Sequence, residues 1–441
     1  MLPLLALLTA APEARAADLT WEGYYRARLL AFDSLSLSDT NALAEGAAAG
    51  IDHRARLAPQ WTLSERAQLH AQLDLLAYQD FGGMADTWTD PVGGATIPLA
   101  RADGVAPSAA SLQATRVWAD VYSGVGRFSF GRMPLQWGAG LYWNPGNDAL
   151  AEYGDTSDRV SFTTRAGPMF VMGSVDWIHE GQLNEPDDMV GFSAAVGSRS
   201  ETSGIGLLNH VRRQTANDWL SYTGDFWAYA DMGALRAETE IIGTWGSGNL
   251  DNGANDVSVT GLGGMVDLRY RMGKVTLGVE SGFATGDADP NDNALHTFAL
   301  DRDHDVGILM FEEPMPTLQL GTTSGEEGGR STEAAVIGEG VSNAIYVKPK
   351  VAYTLFEGLD LEAGAIWATM AKGPASSEGR TGYGTELDLG FVYDPYTHVR
   401  LEGTGALYLP GAAVTTYEDT DLGEGFDQSA LGGRIVATVS F

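Results

Sequence analysis

The sequence predicts an all-β protein, a transmembrane antiparallel β-barrel of about 18 strands with 16 as the alternative. Three observations lead to this fold class. Apolar and polar residues alternate with period two in many segments, the connections between these segments are alternately short and long, and the chain ends on an alternating run that closes with Phe441. A strand with lipid on one side and water on the other shows this alternation, and outer-membrane barrels have short turns at one end and long loops at the other.

The composition excludes several other classes of protein. The sequence has no run of about 18 consecutive apolar residues that could span a bilayer as a helix. Its 56 glycines, 10% aromatic residues and 19% charged residues are typical of a folded chain, not of a disordered one or a coiled coil. A formal net charge of −31 would repel nucleic acid, so no nucleic-acid partner is expected. The lack of cysteine fits a protein of the cell envelope.

The first residues predict a secretory signal peptide over 1–16. Residues 2–11 form its apolar core, and residues 14–16, Ala-Arg-Ala, give the small-x-small pattern that precedes a cleavage site. No Lys or Arg precedes the apolar core. Two prolines and the cleavage pattern disfavour the alternative, a buried N-terminal helix. The mature chain, 17–441, is therefore expected in the cell outer membrane as one barrel domain.

The predicted strands follow one another along the mature chain. Short connections carry turn residues, as at 124–126 and 272–274, whereas long connections are acidic and rich in glycine. In transmembrane barrels the short turns are periplasmic and the long loops external, and an even number of strands leaves both termini on the periplasmic side. The strands are predicted at 18–31, 49–62, 66–79, 111–123, 126–137, 158–166, 168–180, 188–199, 203–214, 220–232, 234–246, 256–271, 274–285, 341–355, 359–371, 380–393, 397–409 and 427–441.

The parity of each position divides every predicted strand into two faces. On the first strand, Trp21 and Leu29 are predicted to face lipid, and Arg26 and Arg28 to face the lumen. A soluble β-sandwich would place the charged face in solvent instead. The signal peptide, the terminal Phe441 and the alternating lengths of the connections favour the membrane barrel.

Two segments resemble the alginate-export-like family of bacterial outer-membrane barrels. Residues 131–138, Gly-Arg-Met-Pro-Leu-Gln-Trp-Gly, are similar to the "GRQ…WGDG" strand-to-loop segment of that family. The loop 285–293, with Thr297 and Phe298, is similar to its "SGD…NPND…TF" loop. The resemblance implies an eighteen-stranded barrel that exports an anionic uronic-acid polysaccharide through a pore lined by Arg and Lys.

Arginines recur on lumen-facing positions at similar depth. Because the last strand closes on the first, most of them are expected to form one basic patch, with Arg116 two strands further on. Arg132 is out of phase on its strand, so a bulge near Gly131 is predicted there. The patch is either a track for an anionic substrate or a structural ladder in which the arginines pair with carboxylates such as Glu22, Asp52, Asp74 and Asp120. The predicted lumen and substrate-pathway residues are Arg26, Arg28, Arg54, Arg56, Arg116, Arg132, Arg434, Asp74 and Asp120.

These observations predict a channel for an anionic polysaccharide or a similar anionic solute, with a preference for anions. The alternative is a general diffusion porin for small solutes. An enzyme or a structural or adhesive barrel is less supported, because the Gly-x-Ser-x-Gly, His-Glu-x-x-His and phosphate-loop motifs do not occur. No catalytic residue is predicted. The expected partners are outer-membrane lipid, the anionic polymer or small solutes, and periplasmic export proteins.

The connection at 286–340 is far longer than usual, which indicates a functional loop or a disordered one. Its apolar run, 306–311, is expected to fold over or into the mouth of the barrel, because it would be unfavourable in water. The same loop carries a possible calcium site, and no other cofactor is predicted. Val306 stands where a calcium loop needs glycine, so a solvated acidic loop is the alternative. The candidate ligands, at positions 1, 3, 5 and 12 of the motif, are Asp301, Asp303, Asp305 and Glu312.

Overall fold

A computed structural model of the chain describes residues 18–33, 48–80, 87–89, 96–98, 112–179, 189–216, 218–249, 256–287, 293–311, 340–373, 379–415 and 428–441. The predicted signal peptide and Glu312 lie outside these ranges. Within them the chain forms a closed antiparallel β-barrel of eighteen strands, each paired with its neighbours along the chain.

Twenty-one strands occur in the described residues, and eighteen of them build the barrel wall. The short β4 and β5 pair with each other, and the two-residue β16 pairs in parallel with β14. The strands are β1 (Asp18–Asp33), β2 (Ala48–Ser64), β3 (Ala67–Asp80), β4 (Thr87–Thr89), β5 (Thr96–Pro98), β6 (Leu112–Ser123), β7 (Gly126–Pro134), β8 (Thr156–Ala166), β9 (Met169–His179), β10 (Met189–Arg199), β11 (Ser203–Gln214), β12 (Trp219–Met232), β13 (Leu235–Gly248), β14 (Val257–Met272), β15 (Val275–Ala284), β16 (Ala294–Leu295), β17 (Ala344–Phe356), β18 (Leu359–Met370), β19 (Gly382–Tyr396), β20 (Val399–Pro410) and β21 (Ala430–Ser440).

The predicted fold class is confirmed, and the alternative of sixteen strands is wrong. Each predicted strand corresponds to one barrel strand, with ends that differ by at most three residues. One α-helical turn, Ala412–Thr415, follows β20 and contacts β19. Among the described residues, no helix has the length and apolar character needed to cross a membrane.

The wall separates an apolar outer surface from a polar lumen. On β11, Ile205 and Leu207 expose 51% and 55% of their surface on the outside, whereas Leu208 and His210 each expose 2% on the inside. Such alternation follows from the pleat of a strand, whose successive side chains point to opposite faces. The outer face therefore suits contact with lipid.

The barrel closes where β1 pairs with β21. The register runs from Tyr24 opposite Ser440 to Asp33 opposite Leu431. The backbone continues this pairing past the end of β21, because Phe441 and Gly23 exchange two N–H···O hydrogen bonds of 3.0 Å. The last residue is thus part of the seam.

Two connections at the long-loop end of the barrel fold into it. We call residues 135–155, between β7 and β8, the first inward segment, and residues 293–311, between β15 and β17, the second inward segment. Leu135 and Trp143 of the first pack with Leu208 of the wall. Val306, Ile308, Leu309 and Met310 of the second are buried among the lumen-facing side chains Phe32, Tyr346, Tyr383 and Tyr408.

Candidate functional site

The lumen at the level of the inward segments is the candidate functional site. The first inward segment leaves β7 and returns in β8. Inside the lumen, its residues 145–151 lie against β1, β2 and β6, strands that precede it in the sequence. Five lumen-facing arginines of β1, β2 and β6 meet it there, and we call them the arginine cluster. Its members are Arg26, Arg28, Arg54, Arg56 and Arg116.

Most of the arginine cluster binds backbone carbonyl groups of the first inward segment. Arg54 donates from Nη2 to the carbonyl oxygen of Ala151 at 2.6 Å, and Arg56 donates from Nη1 to that of Gly146 at 2.6 Å. Two other members donate in the same way to carbonyls of residues 145–149. The guanidinium groups therefore replace the regular partners that this irregular backbone lacks.

Two carboxylates of the wall pair with three arginines of the same cluster. Asp52 accepts from Arg26 at 3.0 Å and from Arg28 at 2.8 Å, and Asp74 accepts two hydrogen bonds from Arg56, at 2.7 and 2.8 Å. Four of the five arginines expose 6% or less of their surface. Of the two interpretations of the basic patch, this geometry favours the structural ladder.

Asp120 and Arg434 face the lumen but lie outside the arginine cluster. Asp120 is buried nearer the short-turn end of β6, where the Ser129 hydroxyl donates to it at 2.6 Å and His70 lies 3.3 Å away. Arg434, on β21, keeps 21% of its side chain exposed and lies 3.9 Å from a carboxylate oxygen of Asp305. These predicted residues are therefore dispersed around the lumen.

The predicted bulge at Gly131 is wrong, and Arg132 does not face the lumen. The pairing of β7 with β6 and β8 keeps one register through Gly131, so Arg132 lies on the outer face. It forms a forked pair with Asp158 on β8, at 3.0 and 2.7 Å, and both side chains are about half exposed. Gly131 instead allows close packing, because a Cβ there would lie 2.5 Å from the Val117 carbonyl oxygen.

Two buried glutamates of the wall were not predicted as site residues. Glu240 on β13 accepts a backbone N–H of the first inward segment, and Glu386 on β19 accepts three from the second. Both expose 0% of their surface. Strand parity places both in the lumen, but many other lumen carboxylates share that property, so the sequence offered no signal to select them.

The two inward segments are joined to each other by aspartates. Asp303 accepts the backbone N–H of Glu152 at 2.8 Å and, more weakly, that of Tyr153 at 3.4 Å. The N–H of Asp301 donates to the carbonyl oxygen of Leu141 at 2.8 Å. The side chains of Asp301 and Asp155 share a hydrogen bond, which requires a proton between the two carboxyl groups.

Burial raises the pKa values of these junction carboxyl groups. The pKa of Asp301 rises to about 9, mainly by burial and then by the charge of Asp155. The pKa of Asp303 rises to about 7, by burial and then by the charge of Asp305. The pKa of Asp155 is also raised by burial. The proton between Asp155 and Asp301 is therefore held at neutral pH.

The candidate calcium ligands have other partners in the structure. Asp301 faces Asp155, Asp303 accepts from the first inward segment, and Asp305 lies towards Arg434. Glu312 lies outside the described residues. In the described part of the chain, no group of three or more His, Asp or Glu side chains has an arrangement that could hold a metal ion.

A cavity of about 900 Å³ lies between the tip of the first inward segment and the short-turn end of the barrel. Asp148 and Leu150 of the segment form one side, and residues of β19, β20 and β21 form the other. Arg400 and Glu402 add charges of both signs to the lining. A solute below the segments would therefore meet a polar, water-accessible space.

Comparison with known proteins finds similarity at the level of fold. No protein-family model matches the sequence, and no curated protein is similar to it. The structure resembles a BenF-like porin from Pseudomonas fluorescens Pf-5, with a TM-score of 0.55, 10% identity and coverage of 96% of this chain and 98% of that one. It also resembles Pseudomonas aeruginosa OpdL (TM-score 0.54, 10% identity, 96% and 99% coverage) and OpdK solved with vanillate (0.53, 9%, 96% and 98%).

These similarities support the closed eighteen-stranded barrel fold and give no support to the alginate-export-like family. Its two short motifs fall on the start of the first inward segment and on the loop that leads into the second. The first motif includes Leu135 and Trp137, which pack inside the lumen, and residues 288–292 of the second lie outside the described residues, so these short matches do not identify a family.

Proposed function

We propose that this chain is an outer-membrane channel through which small solutes diffuse, in the manner of a general porin. The observation that carries the proposal is the pair of inward segments, which fold into a closed barrel and are bound both to the wall and to each other. Folded loops inside a barrel narrow the water-filled space, so small solutes pass and large ones are excluded.

The geometry disfavours export of an anionic polysaccharide. A polymer would need a continuous open lumen and arginines free to exchange one anionic group for the next. Here the arginines bind wall carboxylates and the backbone of the first inward segment, as with Arg56 between Asp74 and Gly146. Small solutes need no such track, which favours the general porin.

The location in the cell outer membrane belongs to the same proposal. Its support is the apolar outer surface, whose exposed side chains such as Leu207 and Leu389 suit hydrocarbon, and the porin fold of the solved neighbours. One of those neighbours was solved with vanillate, a small solute. Lipid is thus the proposed partner of the outer wall, and small solutes of the lumen.

Conductance in planar lipid bilayers tests the proposal. We expect the purified barrel to form steady channels, and liposomes that contain it to admit small neutral sugars and exclude long oligosaccharides. Because the arginine cluster is buried against the first inward segment and wall carboxylates, we expect no strong preference for anions in the reversal potential across a salt gradient.

Other results of these measurements would favour other functions. A strong anion preference would favour the anionic-solute channel. Turnover of lipid or peptide without conductance would indicate an enzyme, and neither conductance nor turnover would indicate a structural or adhesive barrel.

A further inference from the structure

Glu386 holds the second inward segment against the wall. Its carboxylate accepts the backbone N–H groups of Ile308 at 2.8 Å, Leu309 at 3.2 Å and Met310 at 2.6 Å. Three consecutive N–H groups that converge on one carboxylate form an anion-binding nest. Because Glu386 is fully buried, water cannot replace it as the acceptor.

Glu240 holds the first inward segment in the same way. Its carboxylate accepts the backbone N–H of Ala139 and interacts with that of Leu141. This glutamate is also fully buried, and it lies on β13, five barrel strands before the β19 that carries Glu386 when the short β16 is left out. The two segments are therefore fixed to separate parts of the wall.

A glycine lies at the closest approach in both places. A Cβ added to Gly307 would lie 2.6 Å from Oε2 of Glu386, and one added to Gly138 would lie 2.4 Å from Oε2 of Glu240. Real Cβ atoms do not approach an oxygen so closely. In each segment, a glycine is thus followed by backbone N–H groups that point towards one glutamate of the wall.

We propose that Glu240 and Glu386 are positioning residues that keep the width of the channel constant by holding the inward segments against the wall. The inference rests on the proposed channel function and names the residues that set its size limit. Without the carboxylate, the buried N–H groups of a segment have no acceptor where they lie. The segment must then move to find others, and the width of the lumen changes with it.

Single-channel recording of Glu386→Gln and Glu240→Leu tests the inference. Both oxygens of Glu386 accept backbone N–H groups, so glutamine keeps the size of the side chain but turns an NH2 group towards at least one of them. Only one oxygen of Glu240 accepts from Ala139, and a glutamine oxygen can take its place, so leucine is used there to remove the acceptor. Each buried N–H group left without an acceptor raises the released fraction of a segment by about fivefold or more. We expect one steady conductance level for the unsubstituted protein, and several levels with more open-channel noise for each variant.

A glycine variant gives a second, independent test. Gly307→Ala leaves Glu386 in place and pushes the segment away from it, so we expect the same unsteady conductance. Gly50→Ala is the matched control, because a Cβ at that position of β2 meets no atom within 4 Å. Gly138→Ala is less suitable, because that glycine has a positive φ of 54° and would be strained for a second reason.

Hydrogen exchange supplies a readout that does not depend on conduction. We expect the amides of residues 308–310 to exchange faster in Glu386→Gln than in the unsubstituted protein, and to be unchanged in Glu201→Gln, an exposed turn position. If the unsubstituted protein does not conduct, the proposed function fails while exchange still tests the attachment. Steady conductance in Glu386→Gln and Gly307→Ala, with unchanged exchange in Glu386→Gln, would overturn the inference. If Glu386→Gln does not fold, Gly307→Ala decides it alone.

Discussion

Arg56 and Arg132 show how strongly the burial of an arginine, and the energy of its ion pair, depend on which face of its strand it occupies. Both form forked pairs with an aspartate, but Arg56 is inside the lumen with 11% of its side chain exposed, and Arg132 is outside with 55% exposed. A buried ion pair leaves a costly unpaired charge when one partner is removed, whereas an exposed pair contributes little.

Substitution of these two arginines should therefore give unequal losses of stability. Arg56→Ala leaves Asp74 buried without its partner and removes the bond to Gly146, so we expect a loss of about 3–5 kcal/mol in the free energy of unfolding. Arg132 lies two residues from the long-loop end of β7, where the outer wall reaches water, so Arg132→Ala should cost at most about 1 kcal/mol. Urea unfolding in detergent micelles measures both values, and equal losses would contradict this account of the two faces.

Sequence parity identified the lumen arginines and carboxylates able to pair with them, but not the backbone groups that the arginines bind. Period-two alternation reports the face of a side chain, so Arg26 and Asp52 could be placed together in the lumen without coordinates, and the structure pairs them. Arg26 also donates to the carbonyl oxygen of Ala149, more than a hundred residues away, which no local pattern encodes. Arg132 was misplaced because a bulge was inferred from an out-of-phase charge, although an outward charge with its own partner needs none.

The strands and the inward segments also differ in how far the sequence predicts them. The eighteen barrel strands could be predicted to within three residues, because alternation and turn residues are local signals. The inward segments have no period, and their shape depends on hydrogen bonds to the wall and to each other. The apolar run 306–311 could be expected near the mouth from its composition, but its attachment to Glu386 could not.

The junction between the inward segments should weaken as pH rises. The pKa of Asp301 is raised from 3.8 to about 9, so the joined segments keep a proton that the separated segments release above the ordinary value. The junction is therefore most stable at low pH and loses stability up to about pH 9. Because separation of the two segments releases the proton of the Asp155–Asp301 pair, the equilibrium constant for separation rises about tenfold per pH unit between the ordinary pKa and about pH 9.

Exchange of the Glu152 amide, which donates to Asp303, measures this change. Asp301→Asn cannot ionise, so it serves as the reference at each pH and cancels the intrinsic rate of exchange. We expect the ratio of the two exchange rates to rise from about pH 5 to about pH 8. Asp303 titrates in both proteins and cancels from the ratio, so a constant ratio would mean that no proton is linked to the Asp155–Asp301 pair.

At the scale of the whole molecule, stability depends on the seam between β1 and β21. A closed barrel has no unpaired edge, whereas an open sheet would expose the N–H and C=O groups of two strands to hydrocarbon. The seam is therefore a condition for insertion in a membrane as well as for the fold.

Removal of residues 430–441 should abolish the compact barrel. We expect the full chain to migrate faster on an SDS gel before heating than after, and the truncated chain to migrate alike in both. Phe441→Ala is the control, because it keeps the backbone bonds to Gly23 and should retain the heat-dependent shift. A truncated chain that kept this shift would contradict the role of the seam.

The placement of each segment's partners also fixes an order of events during assembly. The arginine cluster lies on strands that precede the first inward segment, whereas Glu386 and most of the apolar wall around the second segment belong to strands that follow it. The site for the first segment is complete once β13 supplies Glu240, and the site for the second only once β19 supplies Glu386. From whichever terminus the sheet grows, the lumen is therefore filled in two stages, and one segment waits unattached while the other is already in place.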